Sequence, residues 1–181
     1  MLFAGALAGL AATVPMTIAM EAMHRRLPAR QRHPLPPRKI TMRTARRAGF
    51  AHELDESQRL ELTLAAHFGY GTTAGALYGP LSKRVKGPAA IKGMGYGVVV
   101  WAVSYLGLLP ALGLMRPATQ HAAQRNALMI AAHLVWGASL GLLTATWTRR
   151  AQERTKSHLA APHAGRSTFK VPETAPRERG G

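Results

Sequence analysis

The sequence predicts an all-α polytopic membrane protein, a four-helix transmembrane bundle built from two hairpins and followed by a disordered basic C-terminal tail. Three observations carry that prediction. Four windows, 1–20, 62–82, 93–115 and 126–148, contain no Asp, Glu, Lys or Arg. Each holds at least 20 residues, about the length a helix needs to cross a hydrocarbon core of roughly 30 Å. Apolar residues fall all round these windows, whereas a water-soluble helix confines them to a stripe. Finally, the formal charge of +16 lies almost wholly outside the windows, so a mean hydropathy of −0.05 averages two segregated populations.

The spans are expected at about 2–23, 61–81, 92–114 and 126–148, within a bundle of residues 1–150. The first lacks a basic leader and a small-residue cleavage site, which favours a spanning helix over a signal peptide. The loop 24–60 opens His24-Arg25-Arg26-Leu27-Pro28 and continues through Pro34-Leu35-Pro36-Pro37, a proline density that ends a helix and favours extended backbone. From Lys39 to Ala48 the chain is basic and helix-compatible, with Ile40, Met42 and Ala45 as an apolar side. A short interfacial helix and a solvated loop both fit. Asp55 and Glu56 then stand where the N-terminus of the second span favours acids. Gly87-Pro88 marks the turn of the next loop, and Met115 to Arg125 connects the last two spans. Such short connections make antiparallel neighbours. The tail 151–181 has too few large apolar residues to order itself, so disorder is expected there.

Lys and Arg number ten in 24–60, four in 83–92, two in 116–125 and eight in 149–181. Without a nucleic-acid-binding motif, these charges read as juxtamembrane contacts with anionic lipid headgroups, each worth about 1 kcal/mol near the surface. No role with nucleic acid is expected. The count divides twelve against twelve between the two sides, so it sets no orientation. The absence of cysteine excludes disulfides, thiolate metal sites and a cysteine nucleophile. There is no glycine-rich phosphate loop after a strand and no nucleophile elbow. The expectation is a non-enzymatic protein without a cofactor. It would act through helix packing or contacts with a membrane partner or a second copy of itself.

Two of the windows echo each other. Leu62, Ala65, Ala66, His67, Gly71, Gly75 and Leu77 match Leu128, Ala131, Ala132, His133, Gly137, Gly141 and Leu143 at a constant spacing. Gly5-x-x-x-Gly9 stands against Gly93-x-x-x-Gly97 as a weaker parallel. A hairpin duplicated in parallel, its halves related by a pseudo-two-fold axis along the membrane normal, produces this pattern. Residues four apart drift by only about 40° around a helix. Gly71, Gly75, Gly79, Gly93, Gly97, Gly137 and Gly141 therefore line faces on which backbones can approach closely.

His67 and His133 sit at matched depth in helices running the same way. Glu21 and His24, three residues apart on one face, leave the first span on that side. Tyr105 and Asn126 fall at similar height. Three readings stay open: an interhelical hydrogen-bond layer; a divalent metal held by Glu21, His24, His67 and His133, or haem b between His67 and His133; and a relay for protons or a solute.

Pro34-Leu35-Pro36-Pro37-Arg38 after the first span, a mid-protein span bearing His67, and His133-Leu134-Val135-Trp136 in the last span resemble the YagU-like family of small bacterial inner-membrane proteins. The resemblance implies a multi-pass protein of the bacterial cytoplasmic (inner) membrane without an established activity. It marks Pro34 to Arg38 and His133 to Trp136, with His67 beside them.

Overall fold

A computed structural model describes residues 1–28, 32 and 34–160. Every regular element among them is helical: α1 (Leu2–Arg25), α2 (Pro36–Arg47), α3 (Glu56–Leu81), α4 (Ala89–Ala102), a π-helical turn (Val103–Leu108), α5 (Leu109–Ala111), a 3-10 turn (Ala118–Gln120) and α6 (Ala123–Ala160). Three helices are long and apolar enough to cross a membrane: α1, the continuous rod Ala89–Ala111, and α6 over Ala123–Ser157. Four were expected. At 26 residues α3 has the length. However, Glu56, Arg59 and Glu61 occupy its first turns, and Gly, Thr, Tyr and His dilute the rest.

Asp55 starts α3 with a capping box. Its carboxylate accepts the Gln58 amide at 2.9 Å, and the Gln58 side chain accepts the Asp55 amide at 2.9 Å, so two helix-end donors are satisfied reciprocally. The basic stretch of the first loop is a helix, α2, and not a solvated loop. It buries Pro36, Thr41 and Ala45. Arg43 donates to Leu114 O at 2.8 Å, and Arg47 donates to Leu112 O and Gly113 O. Those carbonyls follow α5, where a helix end leaves acceptors without intrahelical donors. Two guanidinium groups thus fasten α2 across that end of the molecule.

Glycines form the seams of two helix pairs, α1 with α3 and α4 with α6. A methyl group on Gly75 would run into Gly5 O and lie 2.6 Å from Gly9 Cα. One on Gly93 would run into Gly137 O and lie 3.0 Å from Gly141 Cα. The two seams share a register that differs from the expected one by a helical turn. Gly9 faces Gly71 O and Gly75 Cα, whereas Gly93 faces Gly137 O and Gly141 Cα. Gly9, not Gly5, therefore corresponds to Gly93, and Thr13 corresponds to Gly97. The His-x-x-x-Gly-x-x-x-Gly frames of α3 and α6 correspond residue for residue, and they set the register of whatever packs on them.

The expected two-fold relation fails between the pairs. α1 packs along α6 through the fully buried Ala8, Ala12, Ala132 and Leu140, while α3 and α4 have no comparable backbone contact. Tyrosines stand between them instead. The Tyr78 and Tyr96 rings lie 5.1 Å apart, and Tyr96 OH donates to Ala74 O at 2.8 Å. At the C-terminal end α6 continues to Ala160, into the tail expected to be disordered. The rest of that expectation, from residue 161, lies outside the described residues.

Candidate functional site

A cavity of about 210 Å³ lies between α1, α2, α3, the π turn and α6. Its walls are Thr13, Met16 and Met20 of α1, Ile40 and Thr41 of α2, His67 and Tyr70 of α3, Ser104 and Tyr105 of the π turn, and Met129, His133 and Trp136 of α6. No Asp, Glu, Lys or Arg lines it. α2 closes one end, held there by Arg43 and Arg47.

Local chemistry places each polar wall residue. Pro110 supplies no N–H to the carbonyl of Leu106, and the ladder before it widens so that Leu109 N–H reaches back to Ser104 O. This π turn rotates Ser104 and Tyr105 inward, where both are buried; single π turns recur at functional sites. His133 is 5 % exposed, and its Nδ1 lies 2.7 Å from Met129 O. A carbonyl only accepts, so Nδ1 carries the proton and Nε2 presents a lone pair. The Tyr105 ring meets His133 edge to face at 6.0 Å, and its hydroxyl donates to Met129 Sδ at 3.6 Å. Ser104 Oγ donates to Val100 O at 2.7 Å, so Tyr70 OH is the donor in its 2.6 Å bond to Ser104 Oγ. His67 Nε2 is buried with no hydrogen-bond partner.

His67 and His133 thus share one cavity, and Tyr105 joins them. The other predicted members do not. Glu21 pairs with Arg25 at 3.0 Å on an exposed face, His24 is absent from the wall, and Asn126 donates to Ala118 O at 2.7 Å. Among the described residues, no three of His, Asp and Glu converge as a metal site. The four-ligand set fails because Glu21 and His24 sit in the last turn of α1, beyond Met20, where that helix has left the cavity. The histidine-bound haem meets a different obstacle. A cavity of about 210 Å³ is below the ~300–1,000 Å³ usual for drug-sized ligands, so a porphyrin requires the helices to part. Missed from the sequence were Thr13, Met16, Met20, Ser104 and Met129. Met16 and Met20, four apart on one face of α1, were the readable signal.

A family model matches residues 18–142, more than half of the chain, and its description is a protein of unknown function, DUF1440. The chain belongs to the DUF1440 family. This agrees with the YagU-like resemblance. The DUF1440 match runs from within α1 to within α6 and takes in His67, Ser104, Tyr105 and His133. No curated protein and no solved structure matches the chain.

Proposed function

We propose that this DUF1440 member is a multi-pass protein of the bacterial cytoplasmic membrane that binds a small uncharged molecule between its helices. In this reading α3 crosses the bilayer with the other three. Gly71, Gly75 and Gly79 press its backbone against α1, close packing of the kind that pairs helices in lipid, where no hydrophobic drive between helices exists. The basic residues at the helix ends meet anionic headgroups. In this reading the protein acts by binding and not by bond-making chemistry.

One observation carries the reading: two histidines face an uncharged cavity, His67 with a buried Nε2 that has no hydrogen-bond partner and His133 with its Nε2 left as an acceptor. An unpaired polar atom in an apolar interior costs about 1–3 kcal/mol, and a ligand that pairs with it recovers that cost. The size also suits a ligand, since an engineered apolar cavity of about 150 Å³ binds benzene.

The test is thermal unfolding of the full chain in lipid nanodiscs with xenon, one-ring hydrocarbons, and one-ring phenols and ethers. Saturable stabilisation is expected, reaching about 2.7 kcal/mol at one hundred times the dissociation constant. It should be absent in Val100→Trp, which fills the cavity. A wild-type protein that none of these probes stabilises overturns the reading.

A further inference from the structure

The donors and acceptors of the cavity wall specify the polar group of its occupant. We infer that the cavity takes a neutral one-ring phenol, whose hydroxyl donates to His133 Nε2; this rests on the binding reading above.

Hydroxyl hydrogens in the wall are already committed to the protein. Thr13 Oγ1 donates to Gly9 O at 2.8 Å, Thr41 Oγ1 to Pro37 O at 2.9 Å, Ser104 Oγ to Val100 O at 2.7 Å, and Tyr70 OH to Ser104 Oγ at 2.6 Å. Tyr105 OH has only the 3.6 Å contact with a thioether, a weak acceptor. The imidazole of His133 is locked as an acceptor by the bond from its Nδ1 to Met129 O. The wall therefore offers mostly lone pairs, the exception being His67, whose neutral imidazole carries one N–H and whose buried Nε2 has no partner. A ligand whose polar group only accepts, such as an ether or ketone, can pair with His67 or the Tyr105 hydroxyl but leaves His133 Nε2 unmatched. One that carries an O–H satisfies His133 Nε2 and still has an oxygen to accept from His67.

Charge and shape narrow the class further. With no ionic partner in the wall, a charged ligand has nothing to offset its desolvation. The volume, about 210 Å³, is somewhat more than the ~150 Å³ that holds benzene, which suits one ring with a short substituent. The thioethers of Met16, Met20 and Met129 favour an aromatic ring over an aliphatic one, because sulfur is attracted to ring edges. The imidazole is the better hydrogen-bond acceptor for the more acidic phenolic O–H.

Three probes of similar size separate the outcomes on the wild-type protein in nanodiscs: 4-ethylphenol, its isomer 4-methylanisole, and ethylbenzene at neutral pH. Isothermal titration is expected to give 4-ethylphenol at least tenfold tighter binding than either analogue. In His133→Phe that preference should vanish while ethylbenzene still binds. Equal affinities for the three in the wild type overturn the phenol inference and leave the binding reading standing. Binding of none overturns both. Should His133→Phe fail to fold, the wild-type comparison of the phenol with its anisole isomer decides, since only the phenol carries a hydrogen to donate.

Discussion

Where α1 meets α3, glycine backbones touch; where α3 meets α4, tyrosines hold the backbones apart. The same helix α3 serves both interfaces, and the difference lies in which face it turns. Gly71, Gly75 and Gly79 lie on one side, against Gly5 and Gly9. Tyr70 reaches Ser104 on another, and Tyr78 meets the ring of Tyr96 there. Small residues let two helices close to backbone contact and leave no room for a ligand. Large rings with polar tips hold a gap open, and each tip must then find an acceptor, as Tyr96 does at Ala74 O. Backbone contact and ring contact are thus divided between faces of one helix.

The largest effects should come from filling the seams. Gly75→Leu and Gly93→Leu place a side chain on an opposing backbone and are each expected to destabilise by about 3 kcal/mol or more. Gly69→Leu and Gly95→Leu, whose Cβ atoms meet nothing within 4 Å, should stay within about 1 kcal/mol of wild type or improve on it, since glycine is a poor helix former. Unfolding in mild detergent compares the four. Equal losses would mean that the seams are no tighter than the exposed glycine positions.

Next comes the propped gap. Tyr96→Ala should cost about 3 kcal/mol and draw α3 towards α4, whereas Tyr96→Phe keeps the ring and loses only a hydrogen bond worth about 1 kcal/mol. Because the chain has no cysteine, spin labels at exposed Leu77 and Val99 report the spacing by electron–electron resonance. A shortened distance is expected in Tyr96→Ala alone, and an unchanged distance would show that the ring does not hold the helices apart.

A smaller and more local change is expected from Arg43→Ala. It frees α2 from Leu114 O, so amide protection across α2 should fall roughly tenfold, about 1.4 kcal/mol. Helix α3 should keep its protection. Loss across both helices would mean that the arginine supports the bundle as a whole and not the closure of one end.

The smallest effect concerns the cap of α3. The Ser57 hydroxyl and the Gln58 amide hold the Asp55 carboxyl below its ordinary range. A lowered folded value means that the cap's extra support is present above the unfolded value, about 3.9. It is lost as pH falls through the folded value. Protection of the first turn of α3 should therefore decline below about pH 4. Asp55→Asn, which still caps but does not titrate, should remove that pH dependence.

Much of the architecture was legible because its causes are local. Charge-free windows, a proline-rich break after Arg25, and an acidic start at Asp55 each act within a turn or two of chain, and the helices follow them closely. The matched depth of His67 and His133 was also readable, because a constant spacing in two parallel helices is a one-dimensional fact. Three things were not. The count of clearly membrane-apolar helices came to three because the scattered polar residues of α3 outweigh its charge-free run. The four-ligand cluster failed because Glu21 turns to an exposed face beside Arg25 and His24 lies a turn beyond Met20, neither of which the sequence spacing settles. Its partners in the wall, Met20 and Met129, met only in space.

Sequence periodicity was thus enough to establish an α-helical, membrane-like chain with an internal echo and two glycine-spaced faces. The one-turn offset that aligns Gly9 with Gly93, the loss of two-fold symmetry between the pairs, and the single cavity that His67 and His133 share emerged only on folding. Each depends on side-chain volume at contacts between residues distant in the chain: glycine against glycine on one side of α3, tyrosine against tyrosine on the other. Such volumes add up only once the helices are packed.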